Sequence, residues 1–179
     1  LQVAQGLAHM HGRGFVHADI KPNNVLVDEE RKVKIIDLGQ ACPIGTIKKR
    51  IQGTPGYMAP EQAHRKEITP KTDIYNLGAM MYWVLVGEVI PTAMPPKSTT
   101  DSLVGGAVDT DKVELPVPPH ERNPRIHTLL SKQIMDCVQP IEENRPESMT
   151  VVVNRLELIQ DVMNEPADTA ASSSSDSKL

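Results

Sequence analysis

Aromatic residues are scarce: one Phe, one Trp and three Tyr in 179 residues. Val, Ile, Leu and Met must therefore fill whatever core the chain builds. Cysteine is scarcer still, and Cys42 and Cys137 cannot make a disulfide framework or a zinc motif. Positive charge is not in excess: 19 Lys plus Arg against 23 Asp plus Glu leave a net charge of −4. That excludes a nucleic-acid binder held by bulk positive charge. The longest apolar stretch, Leu77 to Gly87, is interrupted by Gly78 and runs for about 11 residues, whereas a membrane span needs roughly 20. It reads as a buried helix, with no membrane segment in this chain. No leader pattern precedes the first helix. These absences describe a soluble protein of a reducing compartment, the cytoplasm. The chain opens at Leu1 inside a helical pattern, which reads as a fragment of something longer.

What is present has clear organisation. Leu1, Ala4, Leu7, Ala8 and His11 share a face at helical spacing over residues 1–12, and Gly12 and Gly14 stop that helix. Val25-Leu26-Val27 and Val33-Lys34-Ile35-Ile36 flank the polar turn 28–32 and predict a short hairpin. Residues 37–61 show little periodicity and read as a long functional loop. Residues 72–87 predict a helix buried all round. Seven of the 15 prolines fall in 91–124, an irregular connection with at most one short helix near 102–108. Ile126, Leu130, Ile134 and Val138 mark an amphipathic helix over 125–138. Met149, Val152, Leu156, Ile159 and Met163 mark another over 148–163, with Ser148 as its N-cap. From residue 164 the chain turns to Ala, Ser and Asp and reads as a disordered Ser-rich tail.

Chemistry concentrates in His17-Ala18-Asp19-Ile20-Lys21-Pro22-Asn23-Asn24, followed by the hairpin and then Asp37-Leu38-Gly39. One hairpin thus brings two metal-capable groups, Asn24 and Asp37, toward each other. Phosphoryl transfer needs this set: a carboxylate to orient and deprotonate a hydroxyl, a cation for the moving phosphate, and oxygen ligands for Mg²⁺.

These residues resemble the eukaryotic-type protein kinases, in particular their C-terminal lobe. Residues 17–24 match the catalytic loop H-R-D-x-K-x-x-N of Ser/Thr kinases at all but one position. Asp37-Leu38-Gly39 stands where the family has D-F-G. Gly53-Thr54-Pro55-Gly56-Tyr57-Met58-Ala59-Pro60-Glu61 resembles the end of its activation segment, and Asp73-Ile74-Tyr75-Asn76-Leu77-Gly78 its D-x-W/Y-S-x-G helix start. Arg145-Pro146 resembles its penultimate landmark. The wording is closest to bacterial members. The resemblance implies a mainly α lobe with a small β-hairpin over residues 1–163, with the nucleotide-binding N-lobe lying before Leu1. It implies ATP and Mg²⁺ as cofactors and a protein Ser/Thr hydroxyl as acceptor. Asp19 would be the catalytic base and Lys21 would steady the γ-phosphate, while Asn24 and Asp37 would hold Mg²⁺. Thr54 would shape the substrate shelf. His17 would pack structurally, Asp73 would hold the catalytic-loop backbone, and Glu61 and Arg145 would form a buried ion pair. The fragment alone would be inactive.

The match departs at two further places. Ala18 replaces the Arg that pairs with an activation-loop phosphate in the family, so activation should not depend on a phosphate docking at position 18. Leu38 replaces Phe and is expected to pack on His17. Lys48-Lys49-Arg50 reads as a solvated loop face, with contact to an acidic substrate or a phosphate as the alternative. Two other functions stay open at this point: a pseudokinase-like interaction module, and a small-molecule kinase of the aminoglycoside or choline type.

Overall fold

The computed structural model describes residues 1–93 and 107–165. Four helices carry the body: α1 (Gln2–Gly12), α3 (Pro70–Val86), α5 (Thr128–Cys137) and α6 (Met149–Asn164), with short α2 (Pro60–Ala63) and α4 (Pro119–Arg122) between them. Six two- or three-residue strands pair antiparallel: β1 (Phe15–Val16) with β4 (Cys42–Pro43), β2 (Val25–Val27) with β3 (Val33–Ile35), and β5 (Thr46–Ile47) with β6 (Glu67–Ile68). The helical body and the β2-β3 hairpin are as the sequence predicts; the β1-β4 and β5-β6 ladders are additional to it.

Local chemistry sets the ends of these helices. Thr69 caps α3 by accepting from the Lys71 N–H, and Pro70 fits the first helical turn, where its missing N–H has no partner to lose. Gly87 closes α3 at φ +82°, a left-handed conformation that suits glycine. Ser148 caps α6 through the Val151 N–H, as expected.

The main core joins Ala4 and Leu7 of α1, Ile74, Leu77 and Met80 of α3, Cys137 of α5, and Met149, Val152 and Leu156 of α6. Helix α1 lies on α6, and α3 on α5. Gly78 makes the second approach possible. A Cβ there would stand 2.7 Å from the Cys137 Cβ and 2.8 Å from a Val138 methyl.

Several expectations need correction. Helix α3 is buried all round only in its N-terminal part; Trp83 and Val84 at its far end are exposed. Met163 is likewise exposed although it continues the apolar pattern of α6. Residues 37–61 hold β4, β5 and a 3₁₀ turn at Leu38–Gln40. Two-residue strands are too short to leave a periodic signal. The connection 91–124 contains a 3₁₀ turn at Thr110–Lys112 and α4, more than the one short helix predicted. The place predicted for that helix lies largely outside the described residues. So does residue 166 onward of the predicted tail, and Asn164 belongs to α6.

Candidate active site

The catalytic-loop segment leaves β1 at Val16 and enters the core at once: His17, Ala18, Asp19 and Ile20 are all buried. The buried carboxylate of Asp73, in the first turn of α3, holds this backbone. Its Oδ2 accepts from the His17 N–H at 2.9 Å and its Oδ1 from the Ala18 N–H at 2.8 Å. On the far side, the Gln62 amide donates to the Ala18 carbonyl at 2.7 Å. Ala18 sits at φ +60°, a conformation that costs a non-glycine residue roughly 1–2 kcal/mol. Bonds at both its N–H and its C=O keep it there.

The next residue, Asp19, carries the candidate catalytic carboxylate. Asp19 Oδ2 is 2.8 Å from the Lys21 ammonium, and Asp19 Oδ1 accepts from the Thr54 hydroxyl at 2.9 Å. Lys21 also donates to Thr54 Oγ1 at 2.7 Å, closing a triangle. The Asn24 amide donates to the Asp19 carbonyl at 2.8 Å and to its Oδ2 at 3.3 Å. A carboxylate held from three sides in this way presents one fixed face.

The hairpin then returns the chain. Val25 pairs with Ile35, and the Ile36 N–H donates to the Asn24 carbonyl at 2.9 Å. Asp37 follows one residue later, so Asn24 and Asp37 flank the open end of the same ladder. Asp37 is exposed, adopts φ +61°, and accepts from the Gly39 N–H through Oδ1. Because the Asn24 nitrogen is engaged with Asp19, its amide oxygen is the donor left for a cation. An amide oxygen and a free carboxylate are hard ligands that suit Mg²⁺, which keeps several waters and takes few protein groups. Among the described residues there is no cluster of three His, Cys, Asp or Glu that would make a metal site of another kind.

Glu61 and Arg145 meet as expected, in a fully buried bidentate pair at 2.8 and 2.9 Å. Arg145 completes its donors on the carbonyls of Gln139, Lys71 and Pro140 and lies over the Tyr75 ring. Burial pushes the Tyr75 phenol far above its ordinary pKa, against the opposing pull of Arg145. His17 is buried, with Nδ1 receiving the Asp19 N–H and Nε2 against the Ile36 carbonyl. Leu38, by contrast, is 60% exposed and does not bury itself on His17.

Two residues escaped the sequence reading. Helical spacing places His11 on the α1 face and gives it no further role, yet its Nε2 lies 2.8 Å from Asp73 Oδ2. Gln62 belongs to the Ala-Pro-Glu-Gln wording, which by itself assigns it no structural role. Its oxygen accepts from the Ala59 N–H and from Asn76, and its nitrogen reaches the Ala18 and Gln52 carbonyls. The Gln that follows Ala-Pro-Glu was the one available signal for it.

A model of the protein kinase domain matches residues 1–156. The chain belongs to the protein kinase family. It is 31% identical over 159 residues to a protein of Clostridium acetobutylicum named as a probable serine/threonine-protein kinase, covering 87% of this chain and 23% of that one. It is 31% identical over 170 residues to serine/threonine-protein kinase PknB of Mycobacterium tuberculosis, covering 92% and 26%. It is 33% identical over 159 residues to serine/threonine-protein kinase A of a Synechocystis strain, covering 84% and 29%. The kinase chain spans about a quarter of the length of these bacterial relatives. No helix among its described residues is long and apolar enough to cross a membrane.

Proposed function

We propose that residues 1–163 form the C-terminal lobe of a protein serine/threonine kinase, which transfers the γ-phosphoryl of Mg-ATP to a Ser or Thr hydroxyl of a protein. The observation that carries this reading is the closed triangle of Asp19, Lys21 and Thr54. Asp19 is the base: its carboxylate orients the acceptor hydroxyl and takes its proton as the new O–P bond forms. Lys21 stands beside that carboxylate with a largely buried side chain, placed to stabilise negative charge on the transferring group. Thr54 ties the substrate-bearing segment to the base, so the acceptor and the carboxylate keep one register. Asn24 and Asp37 are the residues that would hold Mg²⁺. Bound Mg-ATP supplies the phosphoryl group and neutralises its developing charge.

The bacterial relatives, each named a serine/threonine-protein kinase, support the acceptor class. Lys21 and the complete 53–61 segment support a protein rather than a small molecule as substrate. The test is phosphotransfer from γ-labelled ATP by the complete protein, followed by phosphoamino-acid analysis. Label on Ser and Thr is expected. Label confined to a small-molecule acceptor, or no transfer with Mg²⁺ present, would overturn the reading.

A further inference from the structure

A cavity of about 490 Å³ opens on the segment between Asp37 and Thr54. Lys48, Lys49 and Arg50 line it together with Thr46, Gln40 and Gln52, and no carboxylate does. In a chain of net charge −4 this is a local reversal of sign. Lys48 is held inward by two neutral acceptors, the Gln40 carbonyl at 2.6 Å and its side-chain oxygen at 3.2 Å. Lys49 and Arg50 are exposed and have no hydrogen-bond or ion-pair partner among the described residues. Glu67, opposite Ile47, turns its carboxylate over Gly45 and stays out of the lining. Three cations thus face one space with nothing to neutralise them.

Along the chain, the cavity walls adjoin the two segments that carry Asp37 and Thr54. Gly39 in its wall lies two residues after Asp37. Gln52 in its opposite wall lies two residues before Thr54, whose hydroxyl binds Asp19. An anion seated there would lie along the segment that presents the substrate. Ala18 has no charge with which to hold a phosphate of the chain's own. The one hydroxyl in the lining, on Thr46, donates to the Pro43 carbonyl.

We propose that this cleft is a substrate subsite that takes the phosphorylated side chain of a peptide already carrying one phosphate. The inference rests on the kinase reading above and adds the substrate class to it. A phosphomonoester brings nearly two negative charges and three acceptor oxygens, which three cationic donors match better than they match a single carboxylate. Nucleic acid would need a longer basic track than three side chains provide.

The experiment uses the complete protein without nucleotide, so that binding is read apart from catalysis. The probes are fluorescent peptides with one acceptor Ser and one phosphoserine walked along its flanks, beside unphosphorylated twins. At least one register should bind about tenfold tighter than its twin, or ~1.4 kcal/mol. That preference should fall with added salt. It should vanish in the Lys49→Ala, Arg50→Ala double variant, whose melt should equal that of the parent. Equal binding of the twins, or a preference that survives the double variant, would overturn the proposal. So would equal displacement by inorganic phosphate alone or equal affinity for an oligonucleotide. A phosphate found on Thr46 that blocks the peptides, with Thr46→Val relieving the block, would assign the cleft to the chain itself and also overturn it. Binding preference without any phosphotransfer would fault the kinase reading instead.

Discussion

At the scale of residues, the fold depends on a few buried polar groups with complete hydrogen bonding. Arg145 uses all five N–H donors: two on Glu61, three on backbone carbonyls. A buried charge is tolerated when every donor is matched. Removing one side leaves Glu61 ionised and unpaired, at a cost of about 3–5 kcal/mol. Arg145→Ala should therefore lower the melting temperature strongly; thermal denaturation checks this, and an unchanged melt would contradict it. Asp73 follows the same logic, since its two oxygens take two backbone N–H groups and the His11 ring. Its partners lie more than 50 residues away in sequence. The motif marks Asp73 itself, while nothing local in the sequence marks His11 as its neighbour.

At the scale of elements, the decisive contact is α3 against α5. Gly78 permits it by having no side chain. Gly78→Ala gains helix propensity of about 1 kcal/mol but forces a methyl into Cys137 and Val138. Overpacking of that kind costs roughly 1–3 kcal/mol. The variant should be less stable in urea titration despite the better helix former, and a more stable variant would show that the helices can separate freely. The long helices and the hairpin were legible in the sequence because their apolar periods span several turns or a full alternation. β1, β4, β5 and β6 were not, since two residues cannot display a period. The outer end of α3 was misread for a related reason: Trp83 and Val84 are apolar, but the chain packs nothing over them in the described residues. The grouping of Asp19, Lys21 and Asn24 was legible because they form a spaced motif. Gln62, joined to Ala18 across 44 residues, was not.

At the scale of the whole molecule, the activation segment, α2 and the lower helices are tied together near Arg145, and that junction carries surplus acid. Glu142 lies there, half-buried. Burial first, and then the nearby Glu61, raise its pKa above the usual carboxylate value. A raised carboxyl pKa favours the folded state at low pH, below the ordinary value. That contribution is lost as pH rises through the raised one. Glu142→Gln, which keeps the Thr69 hydrogen bond, should raise the melt at neutral pH and make no difference in acid. A variant less stable at neutral pH would contradict this assignment. Leu26, Val27 and Leu38, in or just after the hairpin, are exposed.

In the proposed function, Asp19 is the group that takes the proton. Asp19→Asn keeps the side-chain shape while removing the charge and the proton-accepting oxygen pair. Measured in the complete protein with Mg-ATP and a Ser/Thr protein substrate, the variant should keep a cooperative melt and lose at least ~10²-fold in kcat. Turnover within a few-fold of the parent, with the melt intact, would contradict the account.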